Sequence, residues 1–136
     1  NNMERTFICL RPTNPSPVGR VIARFESNGL KLIAMKMINA TRNQATEHYK
    51  EYRDRPFFNK LINYITSGPV VAMVWEGIDS VKKSLHLLES ACFYNLRNMD
   101  ECRDIVRHGS CNVQDAQRKI NIWFSPNELR INSTSR

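Results

Sequence analysis

The chain has 136 residues with 41% apolar content, enough for one domain with a core of its own and too few for two of ordinary size. Twenty lysines and arginines against thirteen acidic residues leave a formal charge of +7, which favours anionic partners such as nucleotides, nucleic acid or acidic surfaces without choosing among them. No apolar stretch approaches the roughly 20 residues that cross a bilayer, and no charged-then-apolar leader opens the sequence, so a helical membrane protein is excluded and a soluble, cytoplasmic one is expected.

Thr6 to Leu10 is a short apolar run bounded by Arg11-Pro12-Thr13-Asn14-Pro15, and predicts a strand entering a loop. Ser16 is a plausible N-cap with Pro17 at the first helical position. Val18, Val21, Ile22 and Phe25 then recur at helical spacing, and Asn28-Gly29 supply the stop. Leu30 to Ile38 is apolar on both faces apart from Lys31 and Lys36, as an inner strand of a helix-covered sheet would be. Gln44 to Tyr52 and Phe57 to Ile65 each suit a short helix, broken at Arg55-Pro56.

After Gly68-Pro69, Val70 to Trp75 is a continuous β-prone run, consistent with a central strand. Asp79 or Ser80 can cap a helix carrying Val81, Leu85 and Leu88, and Ile105-Val106 is the last candidate strand. Asn112 caps a final helix whose Val113, Ala116, Ile120 and Trp123 make one apolar face, with Asp115 favourably placed in the first turn. This order fits a ferredoxin-like α+β fold, a four-stranded antiparallel sheet with its helices mainly on one face. Residues 1–129 are expected to form a single domain, followed by a flexible tail over 130–136.

Cys9, Cys92, Cys102 and Cys111 show no metal-ligand spacing and are read as reduced thiols, with Cys9 buried in its apolar strand. Asn39-Ala40-Thr41 and Asn132-Ser133-Thr134 match the glycosylation acceptor pattern, which without a secretory signal is chance.

The most informative tripeptide is His108-Gly109-Ser110, between an apolar run and a helix start, a standard place to hold a phosphate. Upstream stand Glu4-Arg5-Thr6-Phe7-Ile8, His48-Tyr49, Asp54-Arg55-Pro56-Phe57-Phe58, and Ser67-Gly68-Pro69-Val70-Val71-Ala72-Met73-Val74-Trp75-Glu76-Gly77. In this order and at these distances the chain resembles the nucleoside diphosphate kinase family up to about Leu129. That resemblance implies the same ferredoxin-like fold. It also implies two half-reactions, in which a nucleoside triphosphate phosphorylates His108 and the phosphohistidine then phosphorylates a different nucleoside diphosphate. Imidazole suits this role, being largely neutral and nucleophilic near pH 7.

The resemblance further places Arg11, Tyr49, Arg55, Arg97 and Ser110 around the phosphates and the nucleophile, and Phe57 under the base, with Mg²⁺ arriving on the nucleotide and no metal site in the protein itself. It implies a homo-oligomer and no membrane partner. Several positions depart from the family pattern. Arg11 replaces a lysine and Thr13-Asn14 an Asp-Gly pair, Leu85 stands in place of a phosphate-binding arginine, and Ala91 in place of a threonine. Cys111 replaces an aspartate, and Lys119 replaces the glutamate that orients the catalytic imidazole; a lysine cannot accept an imidazole N–H.

The segment from Glu89 to His108 is shorter than the family's by roughly seven residues. The asparagine that binds ribose aligns with Ile105, or with Asp104 if Arg107 is an insertion. Two readings therefore stand together: a kinase of weakened activity, and an inactive family member serving as a nucleotide-binding or protein-interaction module. A nucleic-acid binder ranks below both, for want of aromatic residues interleaved on an exposed sheet.

Overall fold

The computed structural model of the chain describes residues 3–92 and 110–130. Within them the order is β1 (Met3–Leu10), α1 (Val18–Ser27), β2 (Lys31–Asn39), α2 (Arg42–His48), α3 (Phe58–Thr66), β3 (Pro69–Ile78), α4 (Ser80–Cys92) and α5 (Val113–Trp123). The strands form an antiparallel sheet in the order β1-β3-β2, with Phe7 opposite Val74 and Met35 opposite Met73. The expected fourth strand at Ile105-Val106 lies outside the described residues.

β3 is central for the reason its composition suggests. Every side chain from Val70 to Trp75 is buried, and alternate residues go to opposite faces. Val70, Ala72 and Val74 join a core with Phe7, Ile62, Ile120 and Trp123, whereas Val71, Met73 and Trp75 join a second core with Val21, Phe25 and Leu88. Helices α2, α3 and α5 thus cover one face and α1 and α4 the other. This corrects the expectation of helices mainly on one face: a continuous apolar strand is stable only where both of its faces are removed from water.

β2 is also corrected. It pairs only with β3 among the described residues, so it ends the described sheet, and Met35 and Met37 stand exposed. A bulge between Leu32 and Ala34 breaks its alternation. The Ile33 carbonyl accepts the Arg130 N–H at 3.1 Å, and the Leu32 carbonyl accepts from the Arg130 guanidinium at 2.9 Å. Arg130 is thus tied to β2, and the rest of the expected tail, 131–136, lies outside the described residues.

Local signals place most helix ends. In α1, Val21 and Phe25 are buried one turn apart, and Phe25 meets Trp75 at 5.0 Å between ring centroids. Pro17 is the N-cap rather than the first helical residue, and the Ser16 hydroxyl still accepts the Val18 N–H at 3.1 Å. Gly29 takes φ +88 and so ends the helix where a Cβ would be strained. Thr41 and Gln44 form a capping box on α2, which a short 3-10 turn at Lys50–Tyr52 extends. α4 starts at Ser80, where the sequence places it, but its first N–H finds an acceptor far along the chain: Val81 N–H donates to the Glu4 carboxylate at 3.2 Å and the Ser80 hydroxyl donates to the Glu4 carbonyl at 2.8 Å.

Candidate nucleotide and phosphate site

The site is built around the start of α5, where the Asn112 side chain accepts the Asp115 N–H at 2.7 Å. Just before it, Ser110 is fully buried. Its hydroxyl lies 3.3 Å from both the N–H and the carbonyl of Phe7, accepting from the first and donating to the second. One residue on, the Cys111 N–H donates to the Asp115 carboxylate at 3.0 Å. The same carboxylate receives the Lys119 ammonium at 3.1 Å and the Arg118 guanidinium at 3.1 Å. Burial works against the Asp115 carboxylate, and the Cys111 N–H, the Lys119 ammonium and Arg118 outweigh it, holding its pKa below the usual range.

A run of rings leads away from this turn. Tyr49 is buried and meets His48 at 4.4 Å and Tyr52 at 6.2 Å between centroids, and Tyr52 meets Phe57 at 5.7 Å. Phe57 is 39% exposed, which leaves ring surface free for a planar ligand. Burial pushes the Tyr52 phenol up to about 12, with Glu51, Cys111 and Asp115 adding to the rise and Arg55 opposing it. Tyr52 therefore links the ring run to the α5 turn, and no family motif singles it out. Arg55 is exposed at the break before Phe57.

Arg11 is engaged at the other end of α3. Its guanidinium lies 4.6 Å over the Tyr64 ring and donates through one nitrogen to the Tyr64 carbonyl and to the Ser67 hydroxyl, satisfying acceptors at a helix C-terminus. A Cβ at Gly68 would lie 2.9 Å from Arg11 Nη2, so glycine there makes room for the guanidinium. Cys9, beside this region, is buried, and burial raises its thiol to about 12 against the pull of Arg11 and Lys119.

Two cavities flank the α5 turn and share Cys111 and Asn112. One, of about 580 Å³, is lined by Lys50, Arg53, Asp115 and Arg118 among others; the second, of about 430 Å³, by Glu4, Asp79, Lys82 and Leu85. Neither lining includes Tyr49, Arg55 or Phe57. Among the described residues, no three His, Cys, Asp or Glu side chains gather as a metal site, and no helix is long and apolar enough to cross a membrane. His108 and Arg97 lie outside the described residues, and Ala91 falls in the last turn of α4. Asp115 escaped the sequence reading as a site residue, although its spacing of four from Lys119 is that of a helical ion pair.

An antiparallel sheet between two helical layers defines the chain as an α+β protein. The family model for nucleoside diphosphate kinase matches residues 4–129. A nucleoside diphosphate kinase of Brugia malayi is 42% identical over 95% of this chain and 90% of its own length, and nucleoside diphosphate kinase A of Canis lupus familiaris is 44% identical over 94% and 90%. Among solved structures, a nucleoside diphosphate kinase family protein from Babesia bovis superposes with TM-score 0.81 at 34% identity, over 96% of this chain and 94% of that one. A halophilic nucleoside diphosphate kinase from Halobacterium salinarum in complex with CDP gives TM-score 0.76 at 32% identity, over 98% and 97%. The chain belongs to the nucleoside diphosphate kinase family, phosphotransferases that act on nucleotides.

Proposed function

We propose that this protein moves the terminal phosphate of a nucleoside triphosphate to a nucleoside diphosphate through a phosphohistidine at His108, at a reduced rate. The observation that carries the reading is the pinning of Ser110 to the backbone of Phe7. Ser110 ends the His-Gly-Ser motif that carries the resemblance, and its bonds hold that serine on β1 just ahead of α5. In the first half-reaction an imidazole nitrogen attacks the γ-phosphorus and the diphosphate leaves. In the second, a terminal oxygen of another diphosphate attacks the phosphohistidine and the imidazole leaves with its electron pair.

The side chains take the parts that the resemblance assigns them. Phe57 offers a free ring face for the base, as befits a fold whose Halobacterium relative is in complex with CDP. Arg55 is exposed beside it, and Arg11 keeps the far edge of its fork without a partner among the described residues. Tyr49, Arg97 and Ser110 complete the set. Mg²⁺ carried by the phosphates supplies charge neutralisation, and the protein's own work is positioning.

The reduction in rate follows from Leu85, Ala91 and Lys119. Losing one preorganised donor costs about 10²–10³ in rate, so two phosphate ligands and an orienting carboxylate together cost on the order of 10⁴–10⁶, with strong non-additivity. Incubation with γ-labelled ATP tests the reading: label should appear slowly, acid-labile and base-stable, and vanish in His108→Ala. Equal labelling of the two proteins would remove His108 from the mechanism. The second reading, a binding module without turnover, draws on Leu85 lining a cavity beside the α5 turn where a phosphate ligand is wanted. Nucleotide binding without any phosphoenzyme would favour it.

A further inference from the structure

Phe57 stands at the turn before α3 with its side chain 39% exposed, and a ring so placed is free to change rotamer unless another group backs it. Tyr52 backs it: the two ring centroids lie 5.7 Å apart with the planes inclined at 49°. We propose that Tyr52 is a positioning residue for the nucleotide base, which fixes the Phe57 ring in the orientation on which the base stacks and ties that ring to the core. The inference rests on Phe57 being the base platform of the proposed function.

Two successive turns bring the rings together. The Tyr52 carbonyl accepts the Arg55 N–H at 2.9 Å and the Arg55 carbonyl accepts the Phe58 N–H at 3.1 Å, so the chain doubles back between Tyr52 and Phe58. The Phe57 carbonyl then accepts the Leu61 N–H at 2.9 Å, and α3 begins. The two rings differ in their footing. Tyr52 is half-buried and packs against the core that holds Tyr49, Leu61 and Trp123. Its N–H donates to the Tyr49 carbonyl at 2.9 Å, and its ring meets that of the buried Tyr49 at 6.2 Å. Phe57 lies further out, so the contact with Tyr52 carries the order of the core to a surface ring. A base that settles on a ring already held costs the protein less side-chain freedom than one that must first order it, and the difference appears as affinity.

Two variants of residue 52 separate the ring from the rest of the side chain. Tyr52→Leu keeps an apolar group on the core and removes the ring, whereas Tyr52→Phe keeps the ring and removes the hydroxyl. Once urea denaturation shows them folded, the dissociation constant of ADP with Mg²⁺ is measured by calorimetry in the unaltered chain, in both variants, in Phe57→Ala and in Tyr52→Leu combined with Phe57→Ala. Tyr52→Leu should weaken ADP binding about three- to tenfold, the scale of one aromatic pair, and Tyr52→Phe should stay within about twofold. In the Phe57→Ala background the leucine change should have no further effect, because a residue that acts through Phe57 then has nothing left to hold.

Should Tyr52→Leu not fold, Tyr52→Met, unbranched and adaptable in a core, takes its place. An equal loss of ADP affinity in both backgrounds is what a merely structural role would give, and it overturns the proposal, as does a leucine variant that binds ADP like the unaltered chain. Failure of the underlying reading looks different. If Phe57→Ala alone leaves ADP affinity unchanged, or the unaltered chain binds no ADP at millimolar concentration, Phe57 is not the base platform and the proposal falls with it.

Discussion

The indole N–H of Trp123, in the last turn of α5, donates to Nδ1 of His48 at the end of α2 at 2.9 Å, with both residues buried. An imidazole nitrogen that accepts carries no proton, so His48 is held neutral with its hydrogen on Nε2. The bond ties together the two helices on which the site turn and the ring run depend. Trp123→Phe leaves Nδ1 buried without its donor and should cost about 1–3 kcal/mol, beyond the small loss of ring volume. Urea denaturation measures this, and an unchanged midpoint would show that the bond contributes nothing net.

Lys119→Glu looks at first like a repair, because it restores the residue type that the family resemblance calls for. The structure argues otherwise, since it places the new carboxylate against Asp115 and removes that residue's buried partner. Breaking a buried pair in this way costs about 3–5 kcal/mol, and Lys119→Glu alone should be destabilised on that scale. Asp115→Asn combined with Lys119→Glu should recover most of the loss. Chemical denaturation of the three proteins orders them.

Acid should loosen the α5 turn through Asp115. Its pKa is lowered in the folded chain, so its contribution to stability is complete above the ordinary carboxylate range and is lost as pH falls through the depressed folded value. Melting temperature followed from pH 7 downward should therefore drop less steeply in Asp115→Asn with Lys119→Met than in the unaltered chain. Parallel curves would place the acid sensitivity elsewhere. Glu128 is lowered too, first by its hydrogen bond from Lys36, but it is solvent-exposed and adds little.

Phe57→Ala should weaken nucleotide binding by about 1–3 kcal/mol, the range for a base on an aromatic ring, and leave folding almost untouched because the ring is already 39% exposed. Calorimetric titration with ADP and GDP should show both affected alike, since stacking does not discriminate between bases. Unaltered affinity would move the base to another surface.

The Glu4 cap on α4 gives a test in the fold itself. Glu4→Ala removes the acceptor of the Val81 N–H and should cost about 0.5–2 kcal/mol, whereas Ser80→Ala removes a donor to a carbonyl and should cost less. Guanidinium denaturation distinguishes them, and equal effects would mean that the N–H is satisfied by water.

The sequence by itself determined most of the described elements and the family. Val70 to Trp75 is apolar and β-prone without interruption, consistent with a central strand, and the fold buries it on both faces. Asn112 and the apolar residues after it fix α5 through bonds that span three residues. What the tertiary structure decided involves partners far apart in the chain. Arg11 meets Tyr64 across 53 positions, Glu4 caps Val81 across 77, and Ser110 joins Phe7 across 103. The bulge at Leu32 to Ala34 and the exposed methionines of β2 likewise depend on what lies beside the strand, although its own composition is that of an inner one. Periodicity and capping report a residue's neighbours along the chain. The ends of a sheet, the cap on α4 and the groups that Arg11 and Ser110 satisfy are set by packing between elements, where each buried polar group takes the partner that the fold brings to it.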